Sequence, residues 1–73
     1  DWEIMLLQVL LHKQLTFRRL RSIYMPEEQG YTKGILESLL RSELLVETEG
    51  KMIKINPFVL PYLVRYFREN EMI

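Results

Sequence analysis

Cysteine is absent from this 73-residue chain, which removes disulfide scaffolds, thiolate zinc sites and cysteine nucleophiles together. Histidine occurs once, at His12, and aspartate once, at Asp1, so no second imidazole exists to share a metal. Glycine is scarce and scattered: Gly30, Gly34 and Gly50 never form a phosphate-cradling loop. The longest apolar stretch, residues 4–11, is interrupted by Gln8 and falls far short of the roughly 20 residues that span a bilayer. No basic region or cleavage site precedes that stretch, which argues against a signal peptide and suggests a piece of a longer protein. Neither sign of charge dominates, since ten Lys+Arg offset ten Asp+Glu.

What is present is apolar patterning, at 48% hydrophobic residues, with no repeat or linker to divide the chain. A chain this short has room for one core, and we expect one domain. Over 2–13 the apolar residues at 2, 5, 6, 9 and 10 make a helical stripe, and Ile4, Leu7 and Leu11 make a second stripe beside it. Thr16 is an acceptable N-cap for a short helix over 16–24, in which Phe17, Leu20 and Tyr24 recur until Pro26 stops it. Residues 25–30 have turn composition, and 31–43 reads as a third helix with Ile35, Leu36, Leu39 and Leu40 on one side.

Beyond Glu43 the period changes to two, and 44–55 reads as a β-hairpin turning at Glu49-Gly50. With Thr48 opposite Lys51, Val46 faces Ile53 and Leu44 faces Ile55 on the core side, while Glu47 pairs with Met52 outside. Asn56 then caps a final helical segment over 57–70, in which Pro57 to Leu60 are either its start or a separate turn before a helix from Pro61 to about Glu69.

Helix, helix, turn, helix, hairpin, helix resembles the order of a winged helix-turn-helix. The residues carrying the resemblance are Leu15-Thr16-Phe17 with Leu20, similar to a short first strand leading into helix two, and Ile35, Leu39 and Leu44-Leu45-Val46, similar to a recognition helix running into its wing. The implied fold class is mainly α with a small β-hairpin: three helices, a wing and an added C-terminal helix. One departure is Glu43, where many members of this superfamily place a glycine; a left-handed cap there is either strained or replaced by another geometry.

The inventory for catalysis is nearly empty. His12, beside Lys13 at a helix end where a cation is favoured, reads as a C-terminal histidine rather than a ligand or base. Glu27 with Glu28 and Glu47 with Glu49 read as solvated charges. We assign no catalytic residue, no metal ligand and no cofactor.

The resemblance implies one binding mode, duplex DNA contacted by helix three, helix two and the wing. Its contact set would be Arg18, Arg19, Gln29, Thr32, Lys33, Arg41 and Lys51, supported by an acid-free basic run from His12 to Arg21. Against it, residues 31–43 and the hairpin each sum to zero charge, and phosphate attraction supplies most non-specific affinity.

The rival mode is protein docking. Eight of the ten residues at 2–11 are apolar, more than one face needs, so Ile4, Leu7 and Leu11 should stay uncovered once the other stripe packs. The last helix mixes Tyr62, Tyr66 and other rings with Arg65 and Arg68, types that interface cores favour. The expectation is therefore a non-catalytic docking module whose partner is another protein, the rest of its parent chain or a second copy through helix one. No membrane association is expected. The superfamily adds a parent that handles nucleic acid or is ATPase-associated, in the cytoplasm or, in a eukaryote, the nucleus.

Overall fold

The computed structural model describes residues 2–24 and 29–73, with side chains described at 2–23 and 31–73. The expected turn residues Glu27 and Glu28 and the side chains of Tyr24 and Gln29 therefore lie outside the described set. Among the described residues four α-helices and three strands follow in order: α1 (Trp2–His12), β1 (Gln14–Thr16), α2 (Phe17–Tyr24), α3 (Gln29–Arg41), β2 (Leu45–Thr48), β3 (Met52–Ile55) and α4 (Leu60–Glu69). The protein is mainly helical with a small antiparallel sheet in the order β1-β3-β2.

Leu6 and Val9 of α1 are fully buried with Met5, and they share one core with Leu15, Leu20, Leu36, Leu39, Leu45, Ile53, Leu63 and Phe67. Every element contributes to that core, and a chain without disulfides draws its stability from it, at roughly 1.5–3 kcal/mol for each fully buried large aliphatic side chain. Thr16 caps α2: its hydroxyl oxygen accepts the Arg19 N–H at 3.1 Å, satisfying one donor that the first turn leaves unpaired.

The hairpin differs from the sequence expectation by one residue. Its loop holds three residues, Glu49–Lys51, and Gly50 and Lys51 take left-handed φ values of 77° and 61°. The partners are consequently Leu45 with Ile55, Val46 with Lys54 and Glu47 with Ile53. Lengthening the loop by one residue reverses the faces of β2, because successive side chains point to opposite sides of a sheet. Leu45 is thus the buried residue and Val46 lies on the outer side, half-buried. Leu44 leaves the sheet because the end of α3 takes its backbone: the Leu44 N–H donates to Leu39 O and the Glu43 N–H to Leu40 O, both at 3.1 Å. Glu43 sits between them with φ 65°, so the left-handed cap is formed without glycine.

Two helix boundaries also move. α3 starts at Gln29, two residues ahead of the expected position, and α4 starts at Leu60, after a turn. Asn56 builds that turn and fastens it: Oδ1 accepts the Phe58 N–H at 3.0 Å, Nδ2 donates to Glu43 O at 2.9 Å, and its N–H donates to Leu44 O. One side chain thereby ties the end of β3 to the corner between α3 and β2, which fixes where α4 departs. Pro61 follows in the first turn of α4, where its missing N–H costs no helix bond.

Candidate functional site

The two stripes of α1 have different fates. Met5, Leu6 and Val9 are enclosed, whereas Ile4 and Leu11 remain 46% and 60% exposed and Leu7 is half-buried against the core. The enclosed side packs into the core shared with the sheet, α2 and α3, and the start of α1 borders α4.

At that border the start of α1 meets the later turns of α4. The Tyr66 hydroxyl donates to the Glu3 carboxylate, and its ring stacks on Trp2 at 6.4 Å between centroids. The same ring meets Phe67 edge-on at 5.6 Å, and Phe67 is fully buried. Accepting that hydrogen bond, the Glu3 carboxylate holds the Tyr66 hydroxyl above the ordinary tyrosine range; desolvation and the nearby negative charge act in the same direction. Tyr66, expected as a docking residue, therefore also clasps α1 to α4. Sequence reasoning missed Glu3 and Trp2 in this role, because a contact between residues 3 and 66 leaves no local spacing to read.

Beside the clasp, Trp2, Leu44, Val59, Tyr62, Leu63 and Tyr66 line a groove of about 380 Å³ whose walls are almost entirely carbon. Tyr62 is 72% exposed at its edge, and Phe58, at the turn before α4, is 86% exposed. Ile4, Leu11, Tyr62 and Phe58 are large apolar or aromatic side chains in water, on or next to the elements that frame the groove.

The basic residues lie on other elements. Arg18, Arg19, Lys33, Arg41 and Lys51 are exposed. Lys33 and Lys51 line a cleft of about 330 Å³ between α2, α3 and the hairpin, but Glu37 and Glu47 line it too, over a floor of Phe17, Leu36, Leu40 and Ile53. Thr32 corrects the expected DNA contact set: it is 0% exposed, because its position on α3 faces the core, so its hydroxyl cannot reach a base edge. Arg21 is half-buried with its guanidinium 5.8 Å from the Phe17 ring centre.

Among the described residues no three His, Cys, Asp or Glu side chains come close enough to hold a metal ion, and no helix is long and apolar enough to cross a membrane. The His12 imidazole Nδ1 lies 2.9 Å from Gln8 O, one turn back on α1, a bond that occupies one ring nitrogen locally. No protein-family model, curated protein or solved structure matches this chain.

Proposed function

We propose that this protein is a non-catalytic winged-helix module that docks onto another protein, or another part of a larger assembly, through the face made by α1 and α4. The observation carrying this reading is the amount of unpaired apolar surface on these two helices: the carbon-walled groove between Trp2 and Tyr62, and, on the other stripe of α1, the exposed side chains of Ile4 and Leu11. Large apolar side chains left in water on a small domain are what a partner removes from water. The winged-helix assignment is supported by the element order and by the β1-β3-β2 sheet, in which the strand between the first two helices joins the hairpin.

Duplex DNA contact through α2, α3 and the wing is the weaker reading. Its proposed contact cleft combines two lysines with two glutamates, and Thr32 is withdrawn into the core. Phosphate neutralisation would have to come mainly from Arg18, Arg19 and Arg41, too few cations for strong attachment.

The test is sedimentation of the chain together with titration by a hydrophobic fluorescent dye. Self-association or saturable dye binding is expected. Leu11→Ser with Tyr62→Ser should abolish it while the circular dichroism spectrum is retained, since both side chains already stand in water. A strictly monomeric chain that ignores the dye would remove the proposal. Saturable binding of duplex DNA at low salt, weakened by Arg18→Ala or Lys33→Ala, would favour the DNA reading instead.

A further inference from the structure

On the opposite flank of α4 from Tyr62 lies a second groove, of about 440 Å³, bounded by the end of α1 and the end of β3. Its floor is Leu10, Ile55, Leu60 and Val64, and Lys13 and Lys54 stand at its rim. Lys13 is exposed at the residue after α1, and Lys54 is half-buried on the central strand. Among the described residues neither lysine has an ion-pair partner, unlike Arg65, which pairs with Glu69 elsewhere on α4. The sheet neighbours of Lys54 are Gln14 and Val46, and neither can neutralise it.

That charge pattern separates the three grooves. The cleft beside α3 carries two lysines and two glutamates, the groove beside Tyr62 carries no charged residue, and this one carries two cations of one sign over an apolar floor. We propose that it receives an acidic and apolar peptide segment of a partner protein, with an aliphatic or aromatic side chain on the floor and carboxylates on the two ammonium groups. Nucleic acid fits it poorly, since two cations neutralise few phosphates and an apolar floor offers a sugar-phosphate chain nothing. Carboxylates flanking a Leu or Phe satisfy both parts at once, the charges setting specificity and the buried side chain supplying affinity. The inference rests on the docking reading above and adds the chemistry of the partner.

The experiment is selection of a random-peptide display library on the intact chain, followed by amide chemical-shift mapping with one selected synthetic peptide. Selected sequences should be enriched in Asp or Glu next to Leu, Ile or Phe, and shifts should centre on Leu10, Lys13, Lys54 and Val64. Lys13→Gly and Lys54→Gln should each weaken binding about two- to fivefold, and salt should weaken it further. Lys13→Gly is chosen because Lys13 holds φ 68°, a conformation glycine adopts freely, so the charge is removed without harming the fold. Full binding by the double variant would overturn the proposal. So would octanoate occupying the groove when no peptide does, which would assign it to a free fatty acid. Peptides without acid enrichment, mapping to Trp2 and Tyr62, would overturn it while leaving the docking reading in place. Failure to recover any peptide at either groove would end both.

Discussion

Along the α3 and hairpin face, the cleft is lined by Phe17, Leu36, Leu40 and Ile53 together with two lysines, Lys33 and Lys51, and two glutamates, Glu37 and Glu47. Along α1 and α4, Ile4, Leu11, Phe58 and Tyr62 stand in water, and the groove lined by Trp2, Tyr62 and Tyr66 has no charged residue in its walls. Zero formal charge thus covers an uneven surface: the cleft beside α3 mixes both signs, whereas on α1 and α4 large apolar side chains stand in water beside the charged Arg65, Arg68 and Glu69. The difference teaches that the balanced composition describes one face only. The other carries a desolvation gain that a partner, rather than a phosphate backbone, can collect.

The sharpest way to break this comparison is on α1 itself. Leu6→Ala, on the enclosed stripe, should cost about 2–5 kcal/mol in urea unfolding, whereas Leu11→Ala should stay within about 0.5 kcal/mol. Equal losses would mean that both sides of the helix are structurally engaged. The hairpin offers a second contrast: Leu45→Lys should destabilise by about 2–3 kcal/mol through a buried ammonium, and Val46→Lys, on the outer side, by less than about 1 kcal/mol. The reverse order would restore the register in which Val46 faces Ile53. On the charged side, Glu43→Gly should stabilise by up to about 1 kcal/mol, since glycine relieves the left-handed strain while the cap bonds persist. A clear loss of stability would show that the Glu43 side chain contributes something the backbone geometry does not.

The smallest effect concerns the clasp. Protonated Tyr66 is the donor to Glu3, and its hydroxyl titrates above the ordinary tyrosine value of 10.0. The stability it adds is therefore whole below that value and is lost as pH rises through the raised one. Tyr66→Phe should slightly lower stability at neutral pH and flatten this alkaline loss, both measurable by denaturant titration at two pH values. An unchanged alkaline slope would assign the loss to another group.

Much of the architecture was legible because it is periodic. The four helical segments, the Thr16 cap and the hairpin follow from spacing and turn composition, and Ile4 and Leu11 stand out as surplus against a core this small, whereas Leu7 of the same stripe packs against that core instead of staying uncovered. The hairpin register was not legible, because Gly50 permits loops of two or three residues and Lys51 adopts a left-handed φ that its residue type does not announce. Thr32 looked like a polar surface residue, and only the packing of α3 shows that its position faces inward. The grooves depended on where α4 lands, which Asn56 sets through hydrogen bonds to Glu43 and Leu44, residues distant in sequence. Lys13 and Lys54 meet at one rim for the same reason, and no linear motif joins them.

The central claim is that α1 and α4 form the working face. Amide shift mapping tests it most directly, with the chain titrated in parallel with the hydrophobic dye and with duplex DNA at low salt. The account predicts saturable displacements at Ile4, Leu11 and Tyr62 with the dye and none at Arg18, Lys33 and Lys51 with DNA. Saturable displacements at those three basic residues, with the α1 and α4 amides unmoved by either ligand, would contradict it.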